Sequence, residues 1–242
     1  MKIFTGCVTD RGNFRAKNQD RAVCRVKKHK TTPLAVGCVC DGIGSFSNSE
    51  IASQMVTDGI SRWFEGVKEL FPESMDEDML IEDLEMTLNE LNELVYDFHE
   101  RKGVDIGCTM SLMVLVGQNF YVFHVGDSRI YQVGETAFQI TKDEVVMVES
   151  GGRIKSLLAN FVGKAPKLWM NRFTSRVEGQ EMFLLGSDGL FKQLTSQDMV
   201  QWIGQIKNDS KAQKACGYFL DLVLERGERD NVSCVLIYVL VK

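Results

Sequence analysis

The chain has 242 residues, 44% of them hydrophobic and 25% charged, which is enough apolar material for a sizeable core and too much for a disordered segment. With 28 basic against 33 acidic side chains the formal net charge is −5, so no positive field gathers nucleic acid or an anionic membrane. No Pro-, Gly- or Ser-rich linker interrupts the chain, which implies one domain over 1–242. The opening "MKIFTGCVTDRGNFR" lacks the apolar stretch of a signal peptide, and the longest apolar run, "VSCVLIYVLV", is about half a membrane span. A cytoplasmic protein is expected, and seven cysteines without a C-x-x-C pair read as reduced thiols rather than disulfides or structural zinc ligands.

In chain order, "KIFTGCVT", "DRAVCRVK" and "TPLAVGCVC" read as short strands, with a turn-rich loop between the first two. Two helices follow. One opens at Ser47 with Glu50 in capping-box spacing, the other at Ser74 with Glu77, and the second carries Leu80, Leu84, Leu88, Leu91, Val95 and Phe98 on one stripe. From Gly107 the period changes, and "GCTMSLMVLVGQNFYVFHVGDSRIYQVGETAFQIT" reads as a four-stranded meander. The stretch around 142–176 is irregular, with Gly151, Gly152 and Pro166, and reads as a short flap-like surface subdomain. "EMFLLGS" is then a strand, Thr195 with Asp198 caps a helix over "QDMVQWIGQI", "KAQKACGYFLDLVLERG" is a further helix, and a strand begins at Val232. This segregated order predicts an α+β fold of sheets packed beneath helices.

Four acids stand where apolar strands end or begin: Asp41 after "PLAVGCVC", Asp127 after "FYVFHVG", Asp188 after "EMFLLGS" and Asp230 just before "NVSCVLIYVL". One Asp-Gly at a strand end is an ordinary turn. Four suggest convergence, and converging carboxylates repel one another by about 3 kcal/mol per pair at 5 Å and an effective dielectric near 20. Such a cluster requires cations, and all-oxygen donors without His or Cys select Mg²⁺ or Mn²⁺ over Zn²⁺. Paired hard ions serve phosphate-ester chemistry. The loop "TDRGNFRAKNQD" adds Arg15, whose guanidinium fork suits phosphate oxygens. His124 falls on the strand face away from Asp127 and reads as a core histidine, while His29 and His99 read as surface residues.

Six segments resemble, in order, the motifs of the metal-dependent serine/threonine protein phosphatases of type 2C, the PPM family: "TDRGNFRAKNQD", "DGIGSFSNSEIAS", "GCTMSLMVL", "HVGDSRIY", "LLGSDGLFKQLT" and "RDNVSCVLI". The resemblance implies a sandwich of two antiparallel β-sheets flanked by pairs of helices, in four layers. It implies that Asp41 bridges two Mn²⁺ or Mg²⁺ ions, that the Gly42 carbonyl binds one of them, and that Asp188 and Asp230 complete the first ion's ligands. Asp20 would hold water on a metal, Arg15 would grip the substrate phosphate, and Asp127 with Asp188 would match a third, weaker ion. The activity implied is hydrolysis of phosphoserine and phosphothreonine in proteins, opposing a Ser/Thr kinase, by direct attack of a metal-bridging hydroxide.

The chain departs from the family pattern at Gln19, where Glu is common, at Ile43, where many members carry a histidine able to protonate the leaving group, and at Ser45, which replaces a Gly. Two rival readings stand beside this one, the first of them supported by Ile43, Ser45 and the short stretch after Thr141. One is a catalytically weak phosphoprotein-binding module of the same fold; the other is a two-metal phosphodiesterase or nuclease, which the acidic charge disfavours.

Overall fold

A computed structural model describes residues 1–29, 31–70, 76–150 and 153–241. Its strands are β1 (Lys2–Asp10), β2 (Arg21–His29), β3 (Thr32–Cys40), β4 (Met110–Val116), β5 (Asn119–Val125), β6 (Arg129–Val133), β7 (Ala137–Gln139), β8 (Val145–Ser150), β9 (Arg153–Leu158), β10 (Asn171–Arg176), β11 (Gln180–Gly186) and β12 (Val232–Leu240). Its helices are α1 (Ser49–Leu70), α2 (Glu77–Lys102), α3 (Asp188–Phe191), α4 (Ser196–Val200) and α5 (Asp209–Glu225). Antiparallel pairing gives one sheet ordered β1-β12-β11-β6-β7 and another ordered β10-β5-β4-β3-β2, with β8 and β9 forming a separate hairpin.

The two sheets face each other, and Ala35, Val39, Met113, Leu115, Phe120 and Val122 of one meet Ile130, Phe183, Leu185, Val235 and Ile237 of the other. Their outer faces are covered too. Val36, Cys38, Leu112 and Val114 pack under Val56, Ile60, Phe64, Leu84 and Leu88 of α1 and α2, while Leu184, Cys234 and Leu236 pack under Ala212, Cys216 and Phe219 of α5. Burial on both faces explains why β4 and β12 read as continuous apolar runs without alternation. The α+β sandwich with helices outside both sheets is the fold expected from the motifs.

Local chemistry differs from the sequence reading in several places. α1 begins at Ser49 rather than Ser47, and Glu50 turns to Lys17 (2.6 Å) instead of closing a capping box. Ser74 lies outside the described residues; the N-cap of α2 is Asp76, whose carboxylate accepts from the backbone of Asp78 and Met79. The Thr195–Asp198 capping box is present, but the helix it starts is one turn long and passes into turns at Gln201. α3, which opens on Asp188 itself, had no periodic signal.

The meander is the main correction. β4 and β5 belong to one sheet and β6 and β7 to the other, so the chain crosses the sandwich at Gly126-Asp127-Ser128. Gly126 has φ of 103°, and a Cβ there would lie 2.6 Å from Thr109 Cγ2. Both the left-handed backbone and the close approach require glycine. Within 142–176, β8 and β9 form the hairpin, whereas β10 returns to the sandwich as an edge strand on β5.

Gly126→Ala should therefore destabilise the fold by about 1–3 kcal/mol in denaturant unfolding. Adding Thr109→Ser, which deletes Cγ2 but keeps the hydroxyl, should recover part of that loss. No loss in the single variant would show that the crossing is less constrained than its geometry indicates.

Candidate active site

The crossing at Gly126, the end of β3 and the mutual approach of β11 and β12 place strand termini of both sheets around one mouth. Asp41, Asp127, Asp188 and Asp230 all line a cleft of 220 Å³ there, together with Arg15, Gly42, Gln19, Ile43 and Ser45, and the hairpin contributes Ser156, Leu157 and Leu158 to its wall. Asp20 lies fully buried behind that surface.

Hydrogen bonds from neighbouring residues hold several of these groups in place. The Asp41 N–H donates to Thr109 Oγ1 (3.0 Å), and its carbonyl accepts from the Thr109 N–H (2.8 Å). At Gly42 a Cβ would fall 2.7 Å from the Gln19 carbonyl oxygen and 2.9 Å from Ser49 Cβ, so only glycine fits the cradle. The Asp230 N–H donates to Glu228 Oε1 (3.0 Å). Asn231 fastens the Arg15 loop to the start of β12: its Oδ1 accepts from the Gln19 N–H, and its Nδ2 donates to the carbonyls of Arg11 and Lys17. Ser233 of β12 donates to Asp20 Oδ2 (2.8 Å).

The electrostatics follow from crowding. Burial pushes the Asp41 carboxyl well above its ordinary value, and the charges of Asp20, Asp188, Asp127 and Asp230 push it further. Asp127 is raised to about 6 by burial and by Asp188. Asp20 is raised by burial and Asp188 by burial, the latter opposed by Lys192. Two cations answer the acids. Arg15 Nη2 donates to Asp230 Oδ2 (2.7 Å), and Lys192 Nζ lies 2.6 Å from Asp188 Oδ2 and 3.8 Å from Asp230 Oδ2.

The structure thus brings every expected acid to one region but does not arrange them as a ligand shell: among the described residues no three His, Cys, Asp or Glu side chains form a ready metal-binding group. The donor set nevertheless fits hard divalent ions. It consists of oxygens, it carries mutual repulsion that Arg15 and Lys192 offset only in part, and Asp20 Oδ1 is buried without a hydrogen-bond partner, a costly state for a carboxylate oxygen unless a cation or its water meets it.

Several functional positions had no clear sequence signal. Thr109 sits inside the "GCT" segment and Asn231 beside Asp230, so only the hydrogen bonds reveal their roles. Lys192 carries the one available hint, its four-residue spacing from Asp188. Arg129 grips Asp143 through Nε and Nη2 (2.9 and 2.7 Å), and Glu144 accepts from Gly126 N, Asn160 Nδ2 and Asn171 Nδ2, which fixes the base of the hairpin beside the mouth. His124 is a core histidine as expected, 1% exposed, bonded to Ser111 Oγ and the Lys142 carbonyl and pulled below its ordinary value by burial. His99 closes the last turn of α2, half-buried against the Val104 carbonyl, and the His29 side chain lies outside the described residues.

A protein-family model described as protein phosphatase 2C matches residues 14–216, well over half of the chain. A putative protein phosphatase 2C-type from Streptococcus pyogenes is 26% identical over 95% of both chains, and a putative protein phosphatase from Mycoplasma genitalium is 27% identical over 97% of this chain and 94% of its own. Among solved structures, the serine/threonine phosphatase Stp1 from Staphylococcus aureus superposes with a TM-score of 0.81 at 21% identity, covering 99% of this chain and 96% of its own, a likeness of fold. The class so defined is that of protein phosphatases, hydrolases of phosphoric monoesters. The chain belongs to the protein phosphatase 2C family.

The raised acids give a pH dependence to the protein stripped of divalent ions. A carboxyl whose folded pKa exceeds its unfolded value near 3.9 binds its proton better when folded, so its stabilisation is full at low pH and is lost as pH rises through the folded value. With Asp127 near 6 and Asp20, Asp41 and Asp188 shifted the same way, the melting temperature in EDTA should rise by several degrees from pH 8 to pH 5, although His124 opposes the trend. Excess Mn²⁺ should flatten this slope. A melting temperature that falls over that range in EDTA would contradict the repulsion inferred for the mouth.

Proposed function

We propose that the chain is a phosphoserine and phosphothreonine protein phosphatase dependent on Mg²⁺ or Mn²⁺, acting in the cytoplasm on phosphoproteins made by a Ser/Thr kinase. The observation that carries this reading is the meeting of Asp41, Asp127, Asp188, Asp230 and Arg15 on one cleft at the mouth of the sandwich. Asp41, the Gly42 carbonyl, Asp188 and Asp230 would hold two ions, and Asp127 with Asp188 a third. Such ions, when bound, supply an acidified water and neutralise charge on phosphoryl oxygens.

The chain's own residues supply the remainder. Arg15 is exposed, and its planar fork can exchange Asp230 for two oxygens of a phosphate monoester, which orients the phosphorus over the acids. Asp20, buried and raised, is suited to hold a water in place and to take its proton at Oδ1. Ile43 borders the cleft without a proton to give, so protonation of the departing serine or threonine oxygen falls to water. The open mouth, walled by Leu157 and Leu158, admits a side-chain phosphate carried on a polypeptide.

Asp41→Asn, Asp188→Asn and Asp230→Asn should each abolish hydrolysis of a phosphothreonine peptide in excess Mn²⁺ while leaving folded protein, because each removes a ligand charge and little packing. Near-normal turnover by any of them would remove that residue from the metal site. If wild-type protein binds the peptide but leaves it intact with Mn²⁺, it is a binding module; if a bis-aryl phosphate diester is the better substrate, it is a diesterase.

Arg15→Ala should lower kcat/KM by roughly one to three decades, the range for a lost charge-assisted pair, and Arg15→Lys should restore only part because the fork is gone. Unchanged kinetics in Arg15→Ala would remove the phosphate-gripping role.

A further inference from the structure

Lys192 follows α3, the single helical turn that opens on Asp188, and the i,i+4 relation brings its ammonium back over that acid. Nζ is 2.6 Å from Asp188 Oδ2 and 3.8 Å from Asp230 Oδ2, and its charge also reaches Asp127. One ammonium therefore serves three of the four acids that line the cleft. We propose that Lys192 is a tethered counter-ion of the acid cluster that competes with the divalent ion for Asp188 and Asp230, and so sets how tightly the site binds metal.

The inference rests on the metal reading above and deepens it. A carboxylate oxygen that receives an ammonium at 2.6 Å gives one lone pair and part of its charge to it, whereas a Mg²⁺ ion draws on the same oxygen at about 2.0–2.1 Å. The two positive charges also repel, so the ion holds Asp188 at full strength only when Nζ withdraws. Withdrawal is feasible. The Lys192 side chain is 47% exposed, on a flexible four-carbon stem that can carry the ammonium into solvent. The exchange gives Lys192 two opposite effects: it stabilises the stripped protein by partly neutralising crowded acids, and it weakens apparent metal affinity because the ion must displace it. Arg15, the other cation, is ion-paired with Asp230 and reaches Asp188 and Asp41 only by its charge, so Lys192 is the cation in direct contact with Asp188.

The test uses the full chain, stripped with EDTA and dialysed, as wild type, Lys192→Met and Lys192→Arg. Calorimetric titration with Mn²⁺ measures affinity, and melting in EDTA measures the stripped state. Methionine keeps the length of the stem and removes the charge. The Met variant should bind Mn²⁺ about two- to fivefold more tightly, the size of a partly exposed ion pair, and melt a few degrees lower when stripped. The Arg variant should return both values toward wild type, a rescue that a packing role would not predict. Equal or weaker Mn²⁺ binding by the Met variant, beside normal binding by wild type, overturns the role of Lys192, and so does an unchanged melting temperature in EDTA. Failure of wild type itself to bind Mn²⁺ overturns instead the metal reading, a separate result.

Discussion

Carboxylate repulsion at the mouth of the sandwich is the constraint on which the rest of the molecule turns. Asp20, Asp41, Asp127, Asp188 and Asp230 are drawn from both sheets, and burial, with the charges of neighbouring acids, raises the proton affinity of the first four. At about 5 Å and an effective dielectric near 20 each charged pair costs about 3 kcal/mol, a large share of a domain's net stability of 5–15 kcal/mol. Such a cluster survives only on a scaffold that cannot relax to separate its members. The sandwich meets that need because its strands are packed on both faces and their ends cannot drift without opening either the inter-sheet layer or a helix layer.

Neutral hydrogen bonds convert that general rigidity into fixed positions. Thr109 clamps the Asp41 backbone and also bonds Ser128 Oγ at 2.5 Å; Ser111 donates to the Ser128 carbonyl and meets His124, whose other ring nitrogen meets the Lys142 carbonyl. This buried run leads from the acid at the end of β3, past the crossing between sheets, to the base of the β8–β9 hairpin. Neutral groups are suited to this task, since further ionised groups here would add to the charge problem, and satisfied buried polar groups specify one arrangement. His124 belongs to the run for the same reason: burial keeps the imidazole neutral, so it links two elements without adding a field.

How far this was legible depends on whether the physics was local. The α2 stripe is a property of one segment, and Leu80, Leu84, Leu88, Leu91 and Val95 are all buried as their spacing requires. The strand-end acids were legible because four of them recur beside buried strands, where one alone would be an ordinary turn. The crossing at Gly126 was not, because β5 and β6 are both apolar and joined by a short Gly-containing link, which is the pattern of a hairpin; only the packing of Ile130 against the facing layer shows the sheet change. The capping assignment at α2 failed for a different reason. "SMDE" offers two capping acceptors, and the structure uses Asp76, whose carboxylate reaches two backbone N–H groups and whose charge suits the helix N-terminus.

One departure from the family pattern, Gln19, fits the same constraint. Gln19 donates its carboxamide to the Phe46 carbonyl at 2.8 Å and so ties the Arg15 loop to the loop that follows Gly42. A glutamate there would set a carboxylate against a carbonyl oxygen and add another charge beside Asp20, so the amide is the form that both holds the loop and spares the cluster. Lys192 acts in the same sense from the opposite wall, offsetting charge on Asp188 where an acid or a neutral residue would leave it uncompensated. One wall thus avoids a negative charge and the other supplies a positive one. The demand for cations at this mouth is thereby lowered without being removed.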